Sequence, residues 1–588
     1  MLRQIVLRDA TAGDWLIFAT PLDVLVAWNT ADVIGVLSAA ERRVQDERLF
    51  AAGFVSYEAA PAFDAANVIR PAGALPLICF GLFRAPERVA ELPSAGIAAP
   101  HIEWNFSAPR DDYLERIAAI KQQIAAGNTY QVNYTVRQQA NDVTNAWHLF
   151  LSAAQDAPYA AWIDSSEYAI ASASPELFFE LDGNRIVCKP MKGTAPRGMT
   201  ADEDRRKRRW LSESAKDRAE NVMIVDMVRN DLGRVALPGS VRADALFDIE
   251  KYRTVWQMTS TVTAFTNHSV TEIFQALFPS ASVTGAPKVS SMKMIAALEG
   301  SPRQVYTGAI GFIAPGRKAR FSVAIRTALI DTSTGSGTYG VGGGIVWDSD
   351  PEAEFQECRN KARVLDTPVP AKDFRLFETI LWTDDGFFLL NEHLDRLADS
   401  AEYFDFVFDR SRANEHLAEL TQRLASGKHR IRLLLRRTGE INTETRPASR
   451  DDTACEFRLA LAAEPVDARN PFLYHKTTQR DIYEDALSTA GNCDDVLLWN
   501  RDGDITESTI GNVVVRIDGQ VFTPPVGCGL LAGTFRRKLL LDGVLQERKI
   551  AVDELPRAEA IFLINSVRGW IPCRLQQRDL EAKRLIRT

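Results

Sequence analysis

The clearest pattern of apolar and polar positions is a predicted hairpin in the first third of the chain. Residues 177–181 and 185–189 are predicted strands, because apolar residues cluster on both sides of Asp182-Gly183-Asn184. These three residue types accept the positive φ angles of a tight turn. The Gly- and Pro-rich run 191–198 that follows is predicted to be neither helix nor strand. It therefore carries the amine of Lys192 past the end of a sheet, where binding groups tend to lie.

Helical spacing places two pairs of carboxylates on predicted helices. A helix from about residue 213 to 229 carries Asp217 and Glu220 three positions apart, hence on one face. A second helix, which begins with a capping Asp and a first-turn Pro, carries Glu354 and Glu357. Four converging acids would need a cation between them, and oxygen ligands suit Mg²⁺. The residues alone favour the alternative of ordinary ion pairs between neighbours on each helix, such as Glu357 with Lys361.

The order of the predicted elements indicates two domains. Strands and helices between residues 235 and 365 mix without the regular alternation of a parallel sheet. This favours an α+β domain with antiparallel sheets and helices outside. Two prolines in the stretch 366–371 predict a linker. We therefore expect one domain over residues 1–365 and a second over 372–588.

Composition narrows the class of protein. A chain of 588 residues exceeds one hydrophobic core, and 46% hydrophobic with 25% charged residues is ordinary for a globular protein. A net charge of -8 gives no electrostatic footprint for nucleic acid. Seven scattered cysteines without CxxC spacing argue against disulfides and structural zinc. Because no signal peptide or membrane-length apolar run is present, we expect a cytoplasmic protein that binds neither membrane nor nucleic acid.

Three motifs around Lys192 share one resemblance. They are Pro-x-Lys-Gly-Thr-x-Pro-Arg-Gly at 190–198, Lys-Asp-Arg-Ala-Glu-Asn at 216–221 and Asp-x-x-Arg-Asn-Asp-Leu-Gly-Arg at 226–234. Together they resemble the chorismate-utilising enzymes. Anthranilate synthase-like members of that family have a small residue where Lys192 stands, whereas aminodeoxychorismate synthase component I has a lysine that adds covalently to the substrate ring. The resemblance therefore implies para-aminobenzoate synthesis.

The same resemblance assigns roles within the first domain. Lys192 is expected to be the nucleophile, and Glu176, at the start of the hairpin, to be the general acid beside it. Chorismate carries two carboxylates, whose binding requires arginine and bare backbone amides. The expected substrate-binding residues are Thr194, Thr284, Gly285, Tyr306, Arg326, Gly342, Gly343 and Lys361. Mg²⁺ is expected at Glu220 and Glu357, with Asp217 and Glu354 beside them.

One position departs from the family pattern. Chorismate-utilising enzymes commonly carry a histidine in the segment that matches residues 255–260, where this chain has Gln257. An amide cannot titrate, so it cannot take over an acid-base role. Glu176 is therefore the better candidate for general acid catalysis.

Five segments after the linker share a second resemblance. They are His-x-x-Arg-Leu at 393–397, Lys476, Glu-Ser-Thr-x-x-Asn at 507–512, Gly-Leu-Leu-Ala-Gly-Thr-Phe-Arg at 529–536 and Asn-Ser at 565–566. They resemble the fold-type IV pyridoxal phosphate enzymes, which include branched-chain and D-amino acid aminotransferases and aminodeoxychorismate lyase. The resemblance implies an α/β domain with pyridoxal 5'-phosphate as cofactor.

The chemistry of that cofactor explains the residue types. Lys476 is expected to bind the cofactor's aldehyde covalently and later to move protons. Glu507 is expected to pair with the pyridine nitrogen and keep it protonated. The remaining expected residues hold the phosphate, and they are Arg396, Gly533, Thr534 and Ser566.

The two resemblances fit one pathway. The first domain would convert chorismate and ammonia to 4-amino-4-deoxychorismate, and the second would eliminate pyruvate to leave para-aminobenzoate for folate. The chain contains no glutaminase motif, so we expect a separate glutaminase subunit to supply ammonia. Analogy with fold-type IV enzymes implies a homodimer through the second domain. The alternatives are an anthranilate or isochorismate-type synthase, fused to a class IV aminotransferase or to a catalytically silent module.

Overall fold

The structure, a computed structural model, describes residues 2–93, 102–154, 157–362, 374–448 and 456–576. It divides the chain into two units, residues 1–197 with 207–367 and residues 198–206 with 368–588. The predicted linker, 366–371, lies outside the described residues.

The strands before residue 363 supply two large sheets. In chain order they are β1 (Leu2–Arg8), β2 (Trp15–Ala19), β3 (Asp23–Ala27), β4 (Phe50–Val55), β5 (Ile78–Phe83), β6 (Glu87–Val89), β7 (Asn105–Phe106), β8 (Gln131–Ala140), β9 (Tyr159–Ser165), β10 (Tyr168–Ser174), β11 (Leu177–Asp182), β12 (Arg185–Lys189), β13 (Met191–Pro196), β14 (Arg242–Lys251), β15 (Val255–Phe265), β16 (Gly285–Ala286), β17 (Ala309–Ala314), β18 (Lys318–Val323), β19 (Thr327–Asp331) and β20 (Gly337–Ile345).

Nine α-helices of the described residues occur between these strands or after the last of them. They are α1 (Thr30–Glu47), α2 (Ala60–Phe63), α3 (Arg110–Ala125), α4 (Ala146–Ala154), α5 (Ala201–Glu213), α6 (Ala215–Gly233), α7 (Val270–Leu277), α8 (Lys288–Leu298) and α9 (Pro351–Ala362).

Both large sheets are antiparallel. One has the order β16-β8-β20-β19-β10-β9-β1-β2-β6, with β7 beside β8. The other has the order β13-β15-β12-β11-β18-β17-β4-β5-β3, with β14 beside β15. One core lies between the sheets, where Phe18 and Ile163 of the first meet Phe54 of the second. Two further cores lie between each sheet and its helices, so the layers are helix, sheet, sheet and helix. This is the predicted α+β architecture.

Local sequence explains most of these elements. The hairpin of β11 and β12 forms as predicted, with Gly183 at a φ of 58° in its turn. Helix α3 buries Tyr113, Ile117 and Ile120 on one face, because these residues recur at helical spacing. The prediction that residues 191–198 form no strand is wrong. Most of that run is β13, which is stabilised by pairing with β15, far along the chain.

The second unit contains two smaller sheets. Its strands are β21 (Leu376–Thr383), β22 (Gly386–Phe387), β23 (His429–Leu435), β24 (Ile441–Pro447), β25 (Phe457–Leu461), β26 (Asp495–Trp499), β27 (Ile505–Ser508), β28 (Asn512–Ile517), β29 (Gln520–Thr523), β30 (Gln546–Glu547), β31 (Ala560–Asn565) and β32 (Gly569–Leu575). Its helices are α10 (Leu390–Phe404), α11 (Arg410–Thr421), α12 (Asp481–Thr489) and α13 (Thr534–Leu541).

The larger of these sheets closes on itself. Its order is β27-β26-β25-β32-β31-β28-β29-β30, and an extra pairing of β27 with β28 completes a ring. Strand β25 runs parallel to β26 and β32, while most other neighbours are antiparallel. The ring is filled by aliphatic side chains such as Leu497, Val513 and Leu563. The mixed sheet with its helices agrees with the predicted α/β class.

Among the helices of the described residues, none is long and apolar enough to cross a membrane.

Candidate active sites

A cavity of about 150 Å³ in the first unit collects most of the residues predicted for chorismate binding. The predicted residues that line it are Glu176, Lys192, Thr194, Asp217, Glu220, Tyr306, Arg326, Gly342, Gly343, Glu354, Glu357 and Lys361. They come from β13, β20, α6, α9 and the loops around them. Strands of both sheets and two helices therefore meet at one place.

Lys192 projects from the edge strand of its sheet into this cavity. It is half-buried, and within the described residues its amine has no hydrogen bond or ion pair. Burial lowers the pKa of the Lys192 ammonium group, and the charge of Lys361 lowers it further, while Glu220 opposes both. A Cβ atom at Gly344 would lie 2.8 Å from Nζ of Lys192, so the glycine leaves room for the amine. An enclosed amine without a partner is an available nucleophile.

Glu176 lies in the same cavity and is almost fully buried. Its Oε1 accepts a hydrogen bond from Oγ of Ser282 at 2.5 Å, and Ser282 in turn bonds Ser280 at 2.9 Å. Burial raises the pKa of Glu176 to about 7, although the Ser282 hydroxyl and the charge of Lys192 both act to lower it. A carboxyl group with that pKa can hold a proton near neutral pH and release it, as a general acid must.

Arg326 is the cationic group on another part of the wall. Its backbone adopts a φ of 50°, which is uncommon for a residue other than glycine. The guanidinium group stacks 5.9 Å from the ring centre of Tyr252, and within the described residues its donors have no hydrogen-bond partner. Burial lowers its pKa, because no carboxylate compensates for lost water. Such a guanidinium group is ready to receive a carboxylate.

The four acids predicted to bind Mg²⁺ line the cavity on α6 and α9. Glu357 accepts an ion pair from Lys361 at 2.7 Å, and Glu354 accepts a hydrogen bond from Ser349 at 2.7 Å. Burial raises the pKa of Glu220 and of Glu354, and the charge of Glu357 adds to the rise of Glu354. Within the described residues, no three acidic, histidine or cysteine side chains are grouped so as to hold a metal ion.

The chemistry of this donor set nevertheless suits a hard cation. All four side chains offer oxygen, which is what Mg²⁺ prefers, and a cation would compensate for the burial that raises the pKa values of Glu220 and Glu354. Lys361 already supplies one positive charge among these carboxylates through its ion pair with Glu357. Its ammonium group also donates to the carbonyl oxygen of Gly342 at 2.9 Å. The ion pair that helical spacing allows on α6, between Lys216 and Glu220, is longer than the one on α9, at 3.9 Å.

Two predicted substrate residues do not line the cavity. Thr284 is fully buried and its hydroxyl donates to the carbonyl oxygens of Ser280 and Ala281. Gly285 pairs with Val132, and a Cβ there would lie 2.2 Å from the carbonyl oxygen of Gln131. Both residues therefore shape the wall from behind.

A second cavity, of about 470 Å³, lies within the second unit. The residues predicted for pyridoxal phosphate all line it, namely Arg396, Lys476, Glu507, Gly533, Thr534 and Ser566. Strand ends of both smaller sheets and the beginning of α13 bring them together.

Lys476 presents its amine to this cavity. Nζ lies 4.8 Å from the ring centre of Phe377 and, within the described residues, makes no hydrogen bond or ion pair. Burial lowers the pKa of Lys476 to about 8, and the positive charges of Arg396 and Arg480 contribute. A substantial fraction of this amine is therefore neutral near physiological pH, as addition to an aldehyde requires.

Glu507 is a buried carboxyl group whose hydrogen-bond partners are neutral. Its Oε1 accepts from the hydroxyl of Tyr483 at 2.8 Å, and its Oε2 accepts from the amide of Asn512 at 3.4 Å. Burial raises the pKa of Glu507 to about 7, although the Tyr483 hydrogen bond opposes the rise. The protonated pyridine nitrogen of pyridoxal phosphate would supply the positively charged partner that Tyr483 and Asn512 do not.

The beginning of α13 is built to receive an anion. Gly533 caps the helix without a side-chain hydrogen bond, so the first N–H groups of the helix lack that partner. Arg396 is held beside it, because Glu378 accepts from Nε at 2.8 Å and from Nη2 at 2.6 Å. Thr534 bonds His393 at 3.2 Å, and Ser566 donates weakly to the carbonyl oxygen of Thr379 at 3.4 Å. The donor set fits a phosphate monoester.

Several side chains in or behind the cavities were absent from the predicted site residues. Glu378 is the clearest, because burial opposes ionisation, yet Arg396 and His393 lower its pKa to about 2. Its signal in the sequence is a single charge inside the apolar strand Leu-Phe-Glu-Thr-Ile-Leu-Trp. Tyr483 carries no comparable local signal, because only the fold shows what it faces. Lys216, in contrast, begins the motif at 216–221, and Ser282 lies two residues before Thr284.

Comparisons with known proteins match two parts of the chain to two different families. Residues 3–367 match the model for chorismate binding enzymes, and residues 375–575 match the model for class IV amino-transferases. A class IV aminotransferase domain implies pyridoxal phosphate as its cofactor.

Two curated relatives match the chain in part. Aminodeoxychorismate synthase from Streptomyces griseus is 42% identical over 299 residues, which cover 49% of this chain and 40% of that protein. Aminodeoxychorismate synthase component 1 from Salmonella typhimurium is 41% identical over 263 residues, which cover 44% of this chain and 57% of that protein. The chain thus spans about half the length of the curated relatives it matches.

A solved structure supports the fold alone. Anthranilate synthase component I from Streptococcus pneumoniae is 21% identical, with a TM-score of 0.51, over 62% of this chain and 92% of that one. With the model match over residues 3–367, the chain belongs to the chorismate-binding enzymes, and it carries a class IV aminotransferase domain after that region.

Proposed function

We propose that this chain makes 4-aminobenzoate in two stages. The first unit aminates chorismate to 4-amino-4-deoxychorismate, and the second eliminates pyruvate from that product with pyridoxal phosphate. The observation that carries the proposal is that the Lys192 amine and the Arg326 guanidinium group share one cavity and that, among the residues described, neither has a hydrogen-bond or ion-pair partner. The relatives named aminodeoxychorismate synthase support the same substrate.

Lys192 performs the covalent step of the first stage. Its neutral amine adds to the ring of chorismate, the double bonds shift, and the 4-hydroxyl leaves as water with a proton from Glu176. Ammonia then adds at C4, the double bonds return, and the bond to Lys192 breaks, so the lysine leaves as a free amine. Enclosure lowers the pKa of Lys192 and raises that of Glu176, which favours the neutral form of each group.

Binding residues orient chorismate for this attack. Arg326 pairs with one carboxylate, and the bare backbone of Gly342 and Gly343 allows close approach of the other end. Mg²⁺ would be held by Glu220 and Glu357, with Asp217 and Glu354 beside them, and would supply a positive charge for a substrate carboxylate. Removing the cation is therefore expected to weaken substrate binding.

The second stage depends on a phosphate-binding site, a carboxylate and an amine of the chain. Pyridoxal phosphate, when bound, supplies an electron sink for breaking bonds next to the substrate amine. Arg396 and the beginning of α13 hold its phosphate, and Glu507 holds its ring nitrogen. Lys476 then removes the ring proton of the substrate and returns a proton as pyruvate departs, which leaves the aromatic amine.

Further features of the chain belong to the same proposal. The first domain spans residues 1–365 and the second spans 372–588, joined by a linker at 366–371. A separate glutaminase subunit supplies ammonia, the product serves folate synthesis in the cytoplasm, and two copies pair through the second domain. Support for the glutaminase comes from the word "component" in the names of relatives such as that of Salmonella typhimurium.

A product assay tests the proposal. Purified protein is incubated with chorismate, ammonium and Mg²⁺, with and without pyridoxal phosphate, and the products are identified by mass spectrometry. We expect 4-aminobenzoate with the cofactor and 4-amino-4-deoxychorismate without it. Formation of anthranilate would contradict the first stage, and persistence of the aminated intermediate despite bound cofactor would contradict the second.

A further inference from the structure

The strand that carries Lys192 contains an irregularity at that residue. Strand β13 pairs with β15 through Met191 opposite Thr259 and Thr194 opposite Gln257, so two residues on β13 face only one on β15. This is the pattern of a β-bulge, which re-aims a side chain and interrupts the ladder of backbone hydrogen bonds. Lys192 and Gly193 are the two residues in the bulge. Its direct consequence is that Lys192 can turn towards the cavity.

Gly193 supplies the backbone conformation of this bulge. Its φ of 89° lies in the left-handed region, and a Cβ atom there would lie 2.9 Å from Cβ of Asp217. The bulge also takes its carbonyl oxygen out of the regular pairing. A buried carbonyl group without a partner costs free energy, so another donor must replace the ladder.

The side chain of Gln257 provides that donor. Its Nε2 donates to the carbonyl oxygen of Gly193 at 2.7 Å, and its Oε1 accepts from the hydroxyl of Thr194 at 3.0 Å. Gln257 is 5% exposed. Both ends of one buried amide are therefore bonded to the two residues that follow Lys192.

The base of this contact is rigid. Gln257 lies in β15, whose backbone pairs with Thr194 on one side and with Glu250 of β14 on the other. A side chain anchored in a central strand has little freedom, and preorganised support of this kind keeps a reactive group in place. Thr194 is thus bonded to Gln257, although the sequence predicted it as a substrate contact.

We propose that Gln257 is a positioning residue that clamps the bulge and thereby holds the Lys192 amine in the cavity. An amide bonds in the same way across the whole physiological pH range, because it does not titrate. The clamp itself follows from the geometry, whereas its effect on turnover rests on the proposed amination of chorismate.

Amide hydrogen exchange of the full-length protein tests the clamp directly. Gln257→Met keeps the length and volume of the side chain but removes both hydrogen bonds. We expect exchange of a peptide covering residues 189–199 to accelerate about thirtyfold, since each of the two lost hydrogen bonds contributes about 1 kcal/mol. Thr194→Val, which removes one of the two bonds, should give a smaller acceleration.

The matched control is Gln138→Met. Gln138 is a similarly buried amide, 6% exposed, on β8 of the other sheet, and it does not line the cavity. This variant should leave exchange over 189–199 and turnover unchanged. Comparing its melting temperature with that of Gln257→Met separates general destabilisation from a local effect.

Turnover of chorismate completes the experiment. We expect Gln257→Met to lower kcat for the first stage about tenfold or more with little change in KM, because a displaced nucleophile affects the covalent step more than binding. Unchanged exchange over 189–199 would overturn the clamp, and accelerated exchange with unchanged kcat would overturn its catalytic purpose. If the wild-type protein forms no aminated product, the proposed function fails, while the exchange comparison still decides the clamp.

Discussion

The two lysines of the two cavities are alike in one respect and opposite in another. Lys192 and Lys476 both present an amine that has no ionic partner within the described residues, and burial lowers the pKa of each. Around Lys192, Glu220, Glu176 and Glu357 oppose that lowering. Around Lys476, the largest effect of a neighbouring charge is that of Arg396, which reinforces the lowering together with Arg480, while Glu378 and Glu507 oppose it.

The difference matches what each cavity is proposed to bind. A cavity rich in carboxylates can hold a cation beside an anionic substrate, as proposed for chorismate with Mg²⁺. A cavity rich in guanidinium groups attracts a phosphate and at the same time lowers the pKa of the neighbouring amine. Enclosure prepares the amine in both cavities, whereas the surrounding charges determine its ligand.

The largest expected effects come from removing each amine in turn. Lys192→Ala should lower 4-aminobenzoate formation about a thousandfold or more, because the other two lysines that line that cavity, Lys216 and Lys361, are ion-paired with Glu220 and Glu357. The absorbance of the bound cofactor should remain normal in this variant.

Lys476→Ala should instead abolish that absorbance and cause 4-amino-4-deoxychorismate to accumulate. Chromatography with visible spectroscopy measures both; full activity of either variant would contradict the covalent role.

Removal of the unpaired guanidinium group should have the next largest effect. Arg326→Gln is expected to raise KM for chorismate about 10- to 100-fold, because hydrogen bonds between charged groups contribute about 1.5–3 kcal/mol. Steady-state kinetics measures the change, and Arg326→Lys should recover part of it. A KM equal to that of the wild type would place the substrate carboxylate elsewhere.

Filling the space beside Lys192 should have a smaller effect. In Gly344→Ala, the new methyl group would lie 2.8 Å from Nζ of Lys192 and 2.2 Å from Nε2 of Gln131. We expect kcat for the first stage to fall about tenfold, since the amine must move from its position. Gly35→Ala is the control, because a Cβ there meets no atom within 4 Å. Equal kcat values for the two variants would contradict the argument.

The smallest expected effect concerns the pH dependence of cofactor uptake. Protonated Lys476 cannot add to an aldehyde, so uptake by the cofactor-free protein should rise with pH through about 8 and level off above it. Arg480→Met removes a positive charge that lowers this pKa, so its midpoint should move to higher pH. Stopped-flow absorbance measures both midpoints. A wild-type midpoint near that of an exposed lysine would refute the cation-rich description of this cavity.

Local patterns predicted much of the first unit. The hairpin of β11 and β12 and the helices α6 and α9 follow from apolar clustering, helical spacing and capping residues, all of which act between near neighbours in the chain. Strand β13 was missed because its glycine and proline signal a loop. Its strand conformation depends on β15, which no local pattern reveals.

The predictions for individual site residues divide in the same way. Lys192, Arg326 and Lys476 line cavities, as their motifs led us to expect. Thr284 and Gly285 were expected to bind substrate on the same resemblance, but they do not line the cavity. A motif identifies a segment that approaches the site, whereas the direction of each side chain depends on what packs behind it.

The sequence by itself determined the two families, the order of their domains and the residue types that their chemistry needs. Only the tertiary structure decided which side chains meet and which of them lack partners. The physical reason is distance along the chain. Helices α6 and α9 are far apart in the sequence, as are strands β13 and β15, and they come together only when the layers of the domain pack. Whether an amine or a guanidinium group is left unpaired follows from those contacts, which the chain's local patterns do not record.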